Sequence, residues 1–314
     1  MSRARIAGRL AALAVIPFLS PYALAAAQRS FVSASGVDNP TCSVVAPCRE
    51  FAAAVTATLP GGEVVALDSA GYGTVTITQS VSIIAPPGVY AGISVFGESF
   101  GVLINTAGVS VVLRGLSING VGPVIGAAGI FMDLGDKLSI ENCVITNFTP
   151  GFGVQILTPA TVTVVDALLR DNDVQISAGN GATVNITHSQ MLRGGTYGVV
   201  IGGASSSGPT NVFIDESLVT GTGPVTNGTY CIANYPDTGA NGRIFVNRVT
   251  VTGCDLALAN VPVGSGRIVV GDSMVTDNQI GFYRDTGTFN SLGTSLLSGN
   301  GLDTQGTITP LGPQ

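Results

Sequence analysis

A short pattern of apolar and polar positions recurs along most of this chain. From Val111 the sequence reads VVLRGLSI, two apolar alternations meeting at a corner. The template returns as LSIENCVI from Leu138, VTVVDALL from Val162, VNITHSQM from Val184 and VFIDESLV from Val212. It continues as IFVNRVTV from Ile244, IVVGDSMV from Ile268 and, more weakly, NSLGTSLL from Asn290. Successive starts lie 22–32 residues apart. A solenoid keeps its strand positions and places insertions in its loops, so a fixed motif at a variable step predicts stacked coils.

Each half of the template alternates with period two, which predicts a short strand with one buried face. The inward column of the second half is Ile118, Ile145, Leu169, Met191, Val219, Val251, Val275 and Leu297. Like residues recur there because coils stacked ~4.8 Å apart pack each side chain on its counterparts above and below. The small corner residues are Cys143, Ala167, Ser189, Ser217, Ser273 and Ser295. A third strand follows in most coils, at Ile130, Val154, Val174, Val199, Tyr230, Leu256 and Ile280. Three strands per coil predict an all-β parallel β-helix over residues 61–303. Asn172, Asn278 and Asn300 share a corner column, read as left-handed turn residues with stacked amides.

The ends read differently. Arg3, Arg5 and Arg9 precede an apolar run from Leu10 to Leu19 and then Ala23-Leu24-Ala25-Ala26-Ala27, the order of a secretory signal peptide over residues 1–27. Residues 28–60 form an N-terminal cap, in which Phe51, Val55 and Leu59 at i, i+4 and i+8 predict an amphipathic helix stopped by Pro60-Gly61-Gly62. Such a helix covers the open edge of the first coil. Residues 304–314 read as a C-terminal tail.

Over Cys48–Pro86 the capping helix, the Gly-Gly turn, VVAL, GYG, VTI and VSIIAP resemble the N-termini of the pectin-lyase-like superfamily, and the repeat extends the resemblance to about Leu302. The resemblance implies a right-handed coil, in agreement with the rule for parallel crossovers. It also implies relatives such as pectate lyases, polygalacturonases, pectin methylesterases and alginate epimerases. Their catalytic acids, arginines or histidines point outward from the coil strands and adjacent loops.

The corresponding outward positions here, read from the third strand, are Phe131, Asp133, Gln155, Leu157, Gln175, Ser177, Val200, Gly202, Cys231, Ala233, Ala257, Ala259, Gly281 and Tyr283. They include one acid and no arginine or histidine. Hydrolysis by paired carboxylates needs two such groups roughly 5–9.5 Å apart, and a calcium site needs several oxygen ligands together. No cofactor or metal is expected. The fifth template position does concentrate polar groups: Asn142, Asp166, His188, Glu216, Arg248 and Asp272. Asp166, His188 and Glu216 fall in successive coils, so the only histidine is the candidate general acid or base beside two carboxylates. The competing reading is a solvent-facing corner stabilised slightly by alternating charge. Asp171 and Arg193 read as a surface ion pair.

Charge narrows the partners. The chain has 13 basic and 19 acidic residues, and loss of residues 1–27 removes three arginines, leaving a net charge of −9. That balance disfavours nucleic acid and gives no groove for an acidic polymer. No apolar run in the mature part approaches a membrane span. Five cysteines in an exported chain predict disulfides, Cys42 with Cys48 and Cys231 with Cys254, leaving Cys143 as a buried small residue. N-x-T triplets begin at Asn147, Asn185 and Asn227, and Gly202–Gly208 reads as a flexible loop. A line of outward apolar residues, Val144, Leu168, Leu218, Met274 and Leu296, is interrupted by Gln190 and Thr250. It is either a binding strip or a surface covered by the tail.

The expected protein is therefore an exported β-helix, periplasmic, at the cell surface or extracellular. It acts as a non-catalytic structural, adhesive or glycan-contacting surface, with polysaccharide or cell-surface material as its partner. The second reading is a polysaccharide lyase or hydrolase with a site of different make-up.

Overall fold

The computed structural model describes residues 27–122, 127–203, 208–222 and 228–312. The signal-segment reading, Asn227 and most of the Gly202–Gly208 loop lie outside these residues. The described chain is a parallel solenoid of three sheets with 12, 10 and 10 strands and one short helix. We call them sheets one, two and three in the order the chain visits them. Every pairing between named strands is parallel, each strand bonding to its equivalents one coil before and one coil after.

The repeat sets the register. Val111, Leu138, Val162, Val184, Val212, Ile244 and Ile268 are direct partners in sheet one. In sheet two the column from Ile118 through Ile145, Leu169, Met191, Val219, Val251 and Val275 to Leu297 pairs as the alternation requires, and Ile93 extends it by one coil. All of these are buried except Leu297, which is half-buried near the C-terminal end. The last repeat is offset in its first half: Ile268 pairs with Phe289, so the template starts one residue before Asn290. Its corner holds the extra residue, and Leu296–Ser298 then returns to register.

Two polar devices turn the corners. Between sheets one and two, Asn142, Asp166, His188, Glu216, Arg248 and Asp272 all have φ between 46° and 52°, the left-handed region. The small residue that follows closes the turn. The Ser189 and Ser217 hydroxyls donate to the carbonyls of Thr187 and Asp215 at 2.8 and 2.7 Å. They also accept the amides of Ala167 and Ser189 from the preceding coil, each at 3.2 Å. Between sheets two and three the left-handed residue is not the asparagine but the one before it: Asp171, Asp277 and Gly299. The buried Asn172 instead accepts the Phe148 amide at 3.0 Å and donates to the Ile145 carbonyl at 3.2 Å. Asn278 repeats this with Cys254 and Val251 and donates to Asn300 at 3.0 Å, so the expected amide stack is present there.

At the N-terminal end Ala27–Val32 is the edge strand of sheet one, paired with Thr58–Ala66. The helix spans Phe51–Ala57 and buries Phe51, Ala54, Val55 and Ala57. It stops two residues before Leu59, which joins the following strand and is exposed. Pro60 disfavours helical backbone at Leu59. Gln79 Nε2 donates to the carbonyls of Val55 and Thr58 at 2.9 and 2.6 Å, which satisfies the short helix end. Cys42 bonds to Cys48 within the cap, and Cys231 bonds to Cys254 across adjacent coils. Residues 304–312 continue the solenoid rather than covering the strip on sheet two. Leu302–Gln305 pairs in sheet three and Thr309–Pro310 in sheet one.

Register predicts a contrast between neighbours. Replacing the buried Leu169 by alanine is expected to cost about 2–5 kcal/mol in urea unfolding. Replacing the half-exposed Leu168 next to it should cost under about 1 kcal/mol, and equal losses would contradict the pleat. Cys143 is buried and its thiol is pushed up to about 11 by burial. It should therefore resist alkylation at pH 8 in the folded protein and react fully in denaturant, as mass spectrometry would read.

Candidate binding face

The polar corner brings together two of the three residues that spacing had suggested. His188 Nε2 lies 2.5 Å from Glu216 Oε2, and Glu216 Oε1 accepts from Arg248 Nε at 3.0 Å. Arg248 also reaches Asp215 in the same cluster. Asp166 is exposed, with no side-chain partner among the described residues. All three sit at left-handed corner positions, and the His188 side chain is 58 % exposed. The chain of charges runs along the outer rim of the rod, as ion pairs between successive coils do elsewhere. Arg193 grips Asp171 with two hydrogen bonds of 2.6 Å, which hold the Asp171 carboxyl below its ordinary range. Arg114 does the same for Glu141 through one contact of 2.7 Å.

Sheet three differs from the face read by simple alternation. In its strands from Phe100–Asn105 to Ile280–Arg284 two consecutive residues point inward. Gly153 and Val154 illustrate this: a Cβ on Gly153 would meet the core side chain of Leu169, while Val154 is itself fully buried. Gly129 faces Ile145 and Gly198 faces Val219 in the same way. The strand starting points therefore shift by two residues in several coils. Val154 pairs with Ile176 and Val199 with Ile232, not with Val174 and Tyr230. Gln175, Cys231, Ala257 and Gly281 consequently lie on the inward column and are corrected from the outward set. Gln175 is buried and accepts from Asn172 at 2.6 Å, while Cys231 is consumed by its disulfide.

The residues that do face outward form two columns. One runs Phe100, Ala128, Phe152, Val174, Tyr197, Tyr230, Leu256 and Ile280. The other runs Leu103, Phe131, Gln155, Ser177, Val200, Ala233, Ala259 and Tyr283. Neither contains an acid, a histidine, an arginine or a lysine. Both contain aromatics, several of which the alternation pattern had hidden.

These aromatics pack on one another outside the core. Phe100 stacks on Phe131 with ring centroids 4.6 Å apart, and Tyr197 stacks on Tyr230 at 5.3 Å. Val174, Val200 and Ala233 are buried beneath Phe152, Tyr197 and Tyr230 as a separate apolar cluster. Tyr235 and Tyr283 complete a group of four tyrosines, Tyr235 being 43 % exposed. Burial raises the hydroxyls of Tyr197 and Tyr230 above the ordinary phenol range, with further contributions from neighbouring tyrosines and from Asp173 and Asp255. These phenols stay protonated well above neutral pH and remain hydrogen-bond donors. Asp173 and Asp255 are occupied at the sheet's edge. Asp173 accepts from Thr196 Oγ1 at 2.6 Å, and Asp255 accepts the amides of Gly228 and Thr229. Among the described residues no three His, Cys, Asp or Glu side chains come together as metal ligands would. None of their helices is long and apolar enough to cross a membrane.

The fold finds counterparts among known proteins. The solved structure of pectate lyase Pel9A superposes with a TM-score of 0.62 over 89 % of this chain and 78 % of that one. Sequence identity is 14 %, so this likeness concerns the fold alone. No curated protein matches in sequence. The family described as the right-handed β-helix region matches residues 100–280, more than half of the chain. With every described coil built as that description requires, the chain belongs to the right-handed β-helix family.

Proposed function

We propose that this protein is an exported, non-catalytic β-helix whose sheet-three face contacts neutral glycan. One observation carries the reading: two adjacent outward columns, eight coils long, hold no ionisable group except tyrosine. Sugar rings present apolar C–H faces that stack on aromatic rings, and phenol hydroxyls supply polar contacts at the same place. A stiff parallel sheet repeats such contacts at a fixed ~4.8 Å spacing along the rod, which suits an extended polymer. The flanking acids Asp173 and Asp255 disfavour a uronate chain. Export is supported by the N-terminal reading and by two disulfides, which persist in oxidising compartments.

Turnover at the polar rim is the second reading, and the contact between His188 and Glu216 is what favours it. Substrate retention is the obstacle, because both side chains stand on a convex edge.

Two measurements separate these readings. With no tryptophan in the chain and four of its seven tyrosines in this group, tyrosine fluorescence is followed during titration with neutral and uronate oligosaccharides. Neutral oligosaccharide should perturb it, and Tyr197→Ala or Tyr230→Ala should each weaken binding about tenfold, or ~1.4 kcal/mol. Phenylalanine at either position should retain the stacking part; an unchanged affinity in both alanine variants would remove the face from the proposal. Incubation with a polysaccharide panel should yield neither new reducing ends nor unsaturated products. Turnover that disappears in His188→Ala would replace the binding reading with the catalytic one.

A further inference from the structure

A second surface, on sheet one, has the opposite character. Six arginines among the described residues are matched to carboxylates: Arg29, Arg49, Arg114, Arg170, Arg193 and Arg248. Arg243 and Arg267 are exposed and have no carboxylate partner among those residues. They are also direct register partners on adjacent strands. Like charges placed directly opposite one another destabilise a sheet, and in a protein this acidic several carboxylates were available to relieve them. Two unmatched guanidinium groups side by side therefore mark a place where an anion comes from outside.

The surroundings form a groove around that pair. A cavity of 620 Å³ is lined by Arg243 and Arg267 together with Asn241, Ser265, Thr288 and Phe245. Its wall is fixed from within. Buried Asn260 donates to the carbonyls of Gly266, Thr286 and Thr288 at 3.3, 3.1 and 2.9 Å, and Arg284 Nε donates to Gly287 at 3.0 Å. Phe245 continues the groove into a second hollow of 360 Å³ over Phe213, Val269 and Leu292. Phe213 and Phe245 stack at 4.8 Å with their planes 7° apart, giving a flat apolar step beside the charges.

We infer that this groove binds a sulfate or phosphate ester of a sugar, the ester oxygens between Arg243 and Arg267 and the ring on Phe245. A carboxylate has two oxygens, which one guanidinium fork satisfies in bidentate fashion. Two forks stacked ~4.8 Å apart suit an anion with three terminal oxygens in a tetrahedral array. Asn241, Ser265 and Thr288 offer the amide and hydroxyl contacts that ring hydroxyls use. The site is independent of the tyrosine face, which lies on another sheet.

The test is calorimetric titration of the full chain with one oligosaccharide backbone in four forms: sulfated, phosphorylated, carboxylated and neutral. Binding by either ester, at least tenfold tighter than by the carboxylated form, is the expected result, and which ester binds more tightly identifies the source. Arg243→Gln combined with Arg267→Gln should weaken ester binding at least thirtyfold. Phe245→Ala should weaken it about tenfold while leaving the affinity for inorganic sulfate unchanged. In none of these variants should neutral-oligosaccharide binding at the tyrosine face change, and an unchanged β-sheet circular dichroism spectrum confirms that each is folded. Equal affinity for carboxylated and ester forms, or retained ester binding in the double arginine variant, would overturn the assignment. So would inorganic sulfate binding as tightly as the sulfated sugar.

Discussion

Everything in this molecule depends on one periodic constraint: a residue in one coil must lie directly over its equivalent in the next. Parallel hydrogen bonding sets that distance at ~4.8 Å, and the buried columns set the register. Because the side-chain period in a strand is two, a slip of one residue would turn the whole core outward. The columns of isoleucine, leucine and valine in sheet two hold the coils in place against such a slip. Corners then have to accommodate whatever insertions occur. They do so with left-handed residues and with hydroxyl or amide side chains that satisfy the backbone groups left by the turn.

A surface of repeated positions follows from the same constraint. Each outward column collects one side chain per coil, so chemistry on this rod takes the form of stripes rather than a pocket. The polar rim, the tyrosine face and the arginine groove are three such stripes with different contents. The rim alternates charges that neutralise one another between coils. The tyrosine face holds almost no charge, and the arginine groove concentrates charge of one sign.

Most of the fold was legible in the sequence, for a physical reason. Within the repeated template sheets one and two alternate, so Val111 and Ile118 predict the partners of every coil up to Val275. Sheet three does not alternate. Its inward pair, such as Gly153 and Val154, breaks the period, and the residue that breaks it differs between coils: glycine at 129 and 198, Gln175, Cys231, Ala257. Reading Val174 and Tyr230 as inward placed Tyr230 on the wrong face and, with Tyr197 left outside the strand begun at Val199, concealed the aromatic cluster. The glycines at 101, 129, 153, 198 and 281 were the available signal, since glycine inside a strand marks a bulge or a close approach. The helix end was likewise readable from Pro60, whose effect on Leu59 outweighs the i+8 spacing. Arg243 and Arg267 were visible as sequence positions. What hid the groove was that the absence of a carboxylate partner is a property of three-dimensional neighbours.

The bridge between Cys231 and Cys254 joins one coil to the next at a point well along the rod. A solenoid pulled from its C-terminal end peels coil by coil, because each coil bonds only to its neighbours. Unravelling that proceeds inward from Leu302 meets a covalent bridge at Cys254, where tension passes through the sulfur atoms to Cys231 and bypasses residues 232–253. The closed segment, which holds the strands Asn241–Asn247 and Thr250–Thr252, is thereby shielded from traction that frays the distal coils. Arg243 and Phe245 lie inside that loop while Arg267 lies on its unprotected side, so a pull on the distal end parts the two arginines before tension reaches Cys231.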